Sequence, residues 1–293
     1  KALVAADAAG GVYAFDGESG TSVWARQEHH PGGVLALEIH PNGATFSTAG
    51  QDGRIIILDC LEGKEKQVIN INGGGWIENI AWSPNGQWLA ASNSRHVFVY
   101  DIDGRLVWCS DEHPSTVSAI AWSSSHELAT ACYGRVAFFN ILKGELCQQL
   151  RWKGSLVSMK LSPDGDIVAC GSQDKSVHFW RRSTQEDSMM AGYPGKPSTM
   201  VFNDIGSLLA TGGGKDVTIW NFQGSGPEGT RPSVLSLHEQ SITSLAFAPT
   251  GMCLASAGRD GAVMVWLLQN NGEGRLLGVA LVKGIVAELY WRP

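Results

Sequence analysis

The chain has no Cys-x-x-Cys pair. Its six cysteines, Cys60, Cys109, Cys132, Cys147, Cys170 and Cys253, are too dispersed for a short disulfide framework or a zinc ribbon. They fit a reducing, intracellular compartment, the cytoplasm first and an organelle second. Charge is sparse at 17% of 293 residues, and Lys and Arg (22) are outnumbered by Asp and Glu (28). A net charge of −6 with a pI near 5.7 argues against a general nucleic-acid binder, which carries a basic excess. No apolar run reaches the roughly 18 residues of a membrane-spanning helix, and there is no signal-peptide pattern and no N-x-[ST] acceptor. Lys1 rather than methionine opens the sequence, so the expectation is that a flanking segment has been trimmed.

What is present is apolar mass and turns: 43% hydrophobic residues, 36 glycines and 11 tryptophans. Seven times a short apolar run stops at the same kind of turn, at Pro41, Pro84, Ser124, Pro163, Asp204, Pro249 and Pro293. Successive differences are 43, 40, 39, 41, 45 and 44 residues. A period of 40 to 45 with several strands per unit is that of a β-propeller blade.

Within a repeat the apolar pattern alternates with period two and is rich in β-branched and aromatic residues, which predicts strands. The sixth repeat reads as four of them, at 242–247, 253–257, 262–267 and 275–279. The fold expected is all-β: one domain, 1–293, a seven-bladed propeller with four antiparallel strands per blade. The blades fall at about 34–72, 73–112, 113–151, 152–192, 193–237 and 238–280, with a seventh shared between 281–293 and 1–28. The last repeat supplies one strand, Val286 to Trp291, and the N-terminus three, so the ring is expected to close on itself and leave no open edge at the seam.

At this level the whole chain resembles the WD40-repeat proteins. Leu254-Ala-Ser256, Asp260-Gly261, Val263 and Trp266 write out that family's pattern almost in full. The resemblance implies a buried hydrogen-bonded tetrad of His238, Ser256, Asp260 and Trp266, and a partial one of His30, Thr48 and Asp52 with Leu58 in place of Trp. Elsewhere the pattern decays: blade four has Trp152 at the His position and Cys170 at the Ser position, and blade three has Tyr133-Gly134-Arg135 for the Asp turn. The resemblance speaks to fold, not function. A narrower likeness, carried by YPGKPSTMVF and VTIWNFQGSGPEGTRP, is to a divergent WD40 group of bacteria, cyanobacteria especially, and plants. It implies proximity to CobW-type metal-handling GTPases, a link no single residue carries.

No motif compels an enzyme, a cofactor or a metal. Gly224 to Gly229 fits G-x-G-x-x-G, but Pro232 and a strand-like run follow where a dinucleotide fingerprint needs a helix. Gly195-Lys196 lacks the spacing of a phosphate loop. His238-Glu239 begins like a zinc-protease helix, yet position 242 is Ile. There is no G-x-S-x-G elbow.

Charge placement carries more information. In the propeller reading, one rim gathers Arg54, Arg95, Arg135, Lys153, Lys175, Lys196, Lys215, Arg259 and Lys283 against five acids, of which Asp52, Asp174 and Asp260 take the buried family position. The opposite rim is acidic. Trp76, after three glycines, is a large aromatic on a loop; it either packs on a neighbouring blade or, with Arg nearby, makes a binding hot spot. The candidate partner site is Trp76, Glu78, Arg95, Tyr133, Lys153, Tyr193, Lys196, Arg259 and Lys283. Three functions follow: a non-catalytic scaffold binding an acidic or extended segment of another protein; a small-molecule or catalytic site in a central channel lined by Glu78, Ser118, Ser158, Ser198 and Thr243; and nucleic-acid binding by the basic rim.

Overall fold

A computed structural model describes residues 2–7, 9–16, 19, 21–71, 73–224, 226–282 and 289. Among them there is no helix. The chain divides into two compact units, Lys1–Gln149 and Leu150–Pro293.

The first unit holds β1 (Ala2–Ala6), β2 (Val12–Asp16) and β3 (Ser22–Arg26) as a three-stranded sheet. Four-stranded sheets follow: β4 (Val34–Ile39), β5 (Thr45–Gly50), β6 (Arg54–Asp59) and β7 (Glu65–Asn70); then β8 (Ile77–Trp82), β9 (Trp88–Asn93), β10 (His96–Asp101) and β11 (Leu106–Cys109). The last is β12 (Ala119–Trp122), β13 (Glu127–Cys132), β14 (Arg135–Asn140) and β15, whose Glu145–Arg151 span crosses the unit boundary. The second unit holds β16 (Leu156–Leu161), β17 (Ile167–Ser172), β18 (Val177–Arg181) and β19 (Asp187–Met190), then β20 (Thr199–Phe202), β21 (Leu208–Gly212), β22 (Val217–Asn221) and β23 (Ser233–Leu235). Its third sheet is β24 (Ile242–Phe247), β25 (Cys253–Gly258), β26 (Ala262–Leu268) and β27 (Gly274–Leu281).

These seven antiparallel sheets are the blades of a seven-bladed β-propeller. The N-terminal one, β1 to β3, has three strands among the described residues. The expected closing strand, Val286 to Trp291, lies outside the described residues except for Leu289, whose backbone N–H donates to Ser244 Oγ at 2.8 Å.

The forty-residue recurrence has a backbone cause. In blades one, two, four, five and six the chain reverses between the first and second strands through a glycine at positive φ, for example Gly86 at 70° between β8 and β9, whereas blade three turns through Ser123 to His126. A side chain there would be strained and would also meet the His40 ring.

Second strands are made of small residues, as in IVACGS and CLASAG, because they are buried throughout. A Cβ on Gly171 would run into the Pro197 carbonyl of the next blade, so the close approach of the two sheets requires glycine. Each core forms between consecutive sheets. Ile55, Ile57 and Ile69 of blade one meet Ile77, Ile80 and Leu89 of blade two, and Trp82 donates its indole N–H back to Ser47 Oγ at 3.0 Å. The inner strands of blades one, two, four and six share a β-bulge at their first residues, which fixes how each enters its sheet.

Candidate functional site

The end of each blade where the third strand begins carries the residues singled out by sequence. In blade six a hydrogen-bond chain runs from Trp266 Nε1–H to Ser256 Oγ (2.9 Å), from Ser256 to His238 Nε2 (2.8 Å), and from His238 Nδ1 to Asp260 Oδ2 (3.1 Å). The Asp260 carboxylate also accepts the backbone N–H groups of Glu239 and Ala262. Burial would raise its pKa, but these bonds and the one from His238 outweigh that and lower it.

Blade one repeats the geometry, with His30 at 2.9 Å from both Thr48 Oγ1 and Asp52 Oδ1. Leu58 fills the Trp position and is fully buried. Burial lowers the pKa of His30 and opposes ionisation of Asp52, yet bonds from His30 and Arg54 hold Asp52 below its usual value. Blade three, lacking the Asp, keeps His113 Nε2 at 2.9 Å from Thr130 Oγ1 and turns Nδ1 to the Arg95 carbonyl at 3.1 Å.

Blades four and five were not legible in this form. Tyr193, expected on the exposed rim, is 8% exposed and occupies the His position of blade five. Trp220 Nε1–H donates to its hydroxyl at 2.6 Å, that hydroxyl lies 2.7 Å from Thr211 Oγ1, and Thr211 donates to the Thr218 carbonyl at 3.1 Å. Burial pushes the Tyr193 phenol up to about 12. The signal was in the sequence: Tyr193 precedes Thr211 by 18 residues, as His30 precedes Thr48 and His238 precedes Ser256.

In blade four Trp152 stacks on His178 with centroids 3.7 Å apart, and Trp180 meets the same ring edge-on at 4.2 Å. Asp174, expected to be buried, is exposed and bonds Ser176 instead, because no imidazole reaches toward it.

The partner-site residues separate by unit. In the first, Trp76 is 55% exposed and Tyr133 60%. Gly73, Gly74 and Gly75 all have positive φ, and Asn93 Nδ2–H donates to the Gly74 carbonyl at 3.0 Å. That bond seats the Trp76 loop on the turn that carries Arg95. The Arg95 guanidinium is braced by an Nε–H bond to the His113 carbonyl (2.7 Å) and an ion pair with Glu112 (2.9 Å), so it is held at the blade end rather than free. Glu78, on β8, is exposed. In the second unit Lys153, Lys196 and Arg259 are exposed on equivalent loops and turns; Lys283 lies outside the described residues.

Of the hydroxyls of the channel reading, Ser118 donates to the Ala131 carbonyl, Ser158 to that of Pro197 and Thr243 to that of Ala257, while Ser198 is exposed. Among the described residues no group of three or more His, Cys, Asp or Glu could hold a metal ion. Gly224 to Gly229 leads through turns to β23, not to a helix. Among the described residues no helix is long and apolar enough to cross a membrane.

Comparison with known proteins follows the same lines. Residues 229–266 match the family described as WD domain, G-beta repeat, and residues 1–189 the family described as outer membrane protein assembly factor BamB. The chain is 24% identical over 237 residues to telomerase protein component 1 of Mus musculus, across 79% of this chain and 9% of that protein. It is likewise 24% identical over 248 residues to autophagy-related protein 16 of Arabidopsis thaliana, across 83% of this chain and 49% of that one. It thus spans less than half of these relatives. The solved structure of U3-55K superposes with a TM-score of 0.72 over 87% of this chain and 84% of that chain, at 16% identity, a likeness of fold.

Proposed function

Because the chain belongs to the WD40-repeat β-propeller proteins, and its first 189 residues to the family described as outer membrane protein assembly factor BamB, we propose that it is a non-catalytic scaffold that binds an extended, acidic segment of another protein. The observation that carries this reading is Trp76. A half-exposed indole on a three-glycine loop leaves apolar surface in water, yet the loop is seated on a hydrogen-bonded turn beside a braced arginine. Aromatic and arginine side chains together are the usual energetic centre of a protein interface. Tyr133 adds a second exposed ring in the same unit. Lys153, Lys196 and Arg259 would draw acidic segments to the second unit by steering. Most tetrad side chains are consumed by one another, which leaves the loops, not the buried histidines, for recognition.

The test is affinity capture from a native extract with wild type beside a Trp76→Ala/Lys196→Glu variant. The variant should lose partners that the wild type recovers. Identical recovery defeats the reading, and recovered nucleic acid with binding that falls steeply with salt would favour the basic-rim alternative.

A further inference from the structure

We propose that Arg135, at the end of blade three, receives a carboxylate side chain of the partner segment, which supplies the counter-ion that this blade's own turn lacks; this rests on the scaffold reading above. Arg54 and Arg135 open the third strands of blades one and three. Each stands two residues before the one that faces the tetrad Thr, since Ile56 lies opposite Thr48 and Ala137 opposite Thr130. Arg54 is matched within the chain. Its Nε–H donates to Asp52 Oδ2 at 2.7 Å, and a terminal nitrogen donates to the His29 carbonyl at 2.9 Å. In blade three Tyr133-Gly134 stands where that acid would be. His113 is bonded to the Arg95 carbonyl instead, but the guanidinium has no such substitute. Among the described residues the Arg135 side chain makes no ion pair and no hydrogen bond, and its Nε–H is sealed from water without an acceptor.

A half-buried cation with no counter-ion has given up part of its hydration without compensation. The two terminal nitrogens of Arg135 are not sealed as Nε is, so they present a fork of donors at the surface. A carboxylate fits that fork with two parallel bonds. Because guanidinium is weakly hydrated and here already partly stripped of water, the pair forms at less cost than at a lysine on an open loop. The other arginines at the ends of blades one and two are already paired, Arg54 with Asp52 and Arg95 with Glu112.

Arg135 also lies beside the Trp76 site. Burial lowers the pKa of His113, the bond with the Arg95 carbonyl raises it, and the Arg135 charge lowers it again, so the guanidinium stands near that ring. Arg95 grips the carbonyl of the same histidine at 2.7 Å, and the turn of Arg95 carries the Trp76 loop through Asn93. On the other side, Tyr133 N–H donates to Ser115 Oγ at 2.8 Å and its ring is exposed. Trp76, Arg95, Arg135 and Tyr133 are thus linked contact by contact across the ends of blades two and three, with an aromatic ring at either end and one unmatched charge between. The segment that fits this order has a single Glu or Asp flanked by apolar residues.

The probe is a pair of random heptapeptide libraries, one with Glu fixed at the centre and one with Gln, and no other acidic position, passed over the immobilised full chain. Wild type should retain the Glu library about tenfold better than the Gln library, the difference between a charge-assisted and a neutral bond. Arg135→Gln should retain both alike, and Trp76→Ala should retain less of both while still preferring Glu. Equal retention of the two libraries by wild type, with a loss in Trp76→Ala, overturns the role of Arg135 and leaves the scaffold reading standing. A preference for Glu that survives in Arg135→Gln does the same. Retention of neither library by wild type overturns both. Should Arg135→Gln fail to fold, the Arg135 Nε–Hε resonance of wild type decides: it should move on addition of a retained Glu peptide and not with its Gln counterpart, and an unmoved resonance overturns the assignment.

Discussion

The blade-four stack makes a quantitative statement about acid stability. His178 is 1% exposed, lies between Trp152 and Trp180, and neither ring nitrogen makes a hydrogen bond. Its Nε2 is 3.1 Å from Asp187 Oδ2, out of line for a bond. Burial dominates and brings its pKa from 6.5 down to about 4; Asp187 and Asp174 pull the other way without prevailing. In the unfolded chain the ring protonates near pH 6.5, in the folded chain near 4. Between those values the unfolded state holds more protons, so stability rises with pH. It is fully present above about 6.5 and lost as pH falls toward 4. At 1.36 kcal/mol per unit the loss is roughly 3 kcal/mol. The variant His178→Phe keeps a ring against Trp152 and removes the titrating group. Urea unfolding of both proteins at several pH values from 7 to 4 should show wild type losing roughly 3 kcal/mol more than the variant across the range. His29, His30 and His113, whose pKa values burial also lowers, act alike in both proteins and cancel from the comparison. Asp187→Asn should steepen the wild-type loss, since it removes charge that favours the imidazolium. Parallel stability curves, or a folded-state imidazole titration near 6.5, would refute the reasoning.

Other outcomes follow from the same contacts. Tyr193→Phe strands the Trp220 N–H in a buried site and should cost about 1–3 kcal/mol in denaturant unfolding. Ser256→Ala breaks the chain between Trp266 and His238 and should cost a similar amount, again about 1–3 kcal/mol. Gly171→Ala forces a methyl group onto the Pro197 carbonyl and should destabilise by about 1–3 kcal/mol, seen as a lowered melting temperature. Trp76→Ala, by contrast, removes an exposed ring and should shift stability by less than about 0.5 kcal/mol in the same unfolding assay, which makes it a clean probe of partner binding.

The fold was legible because its signals are local. A glycine at positive φ after the inner strands of blades one, two, four, five and six, and a small-residue second strand, follow from backbone sterics and close sheet approach, and both recur in plain text. The outer strands were less so: β27 reads as 275–279 by alternation but runs Gly274–Leu281, because an open edge imposes no burial pattern to mark its end. The rim was read by aligning loops, which put Tyr193 beside Lys196 on an exposed surface. What places it indoors is a donor at Trp220 and an acceptor at Thr211, pairings between strands that only spacing to Thr211 hinted at.

The blades conserve hydrogen-bond accounting rather than residue identity. A buried donor at this end of a blade that meets no acceptor costs more than one bond contributes; blade four, where Trp152 Nε1 and both His178 nitrogens lack a partner, is the exception, and blades five and six meet the condition. Blade six satisfies the condition with Trp, Ser, His and Asp; blade five with Trp, Tyr and Thr, closing on a backbone carbonyl. Where an imidazole is missing, the turn acid loses its inward partner: Asp174 moves to Ser176, and Asp216 Oδ1 in blade five has no partner at all. Blade three reverses the case, since it lacks the acid and His113 borrows the Arg95 carbonyl while Arg95 grips the His113 carbonyl in return. That reciprocal pair fixes Arg95 at the blade end beside the Trp76 loop. The lapse in the repeat therefore positions the cation of the candidate site, and the faithful repeats, with their polar groups internally consumed, hold the frame on which it stands.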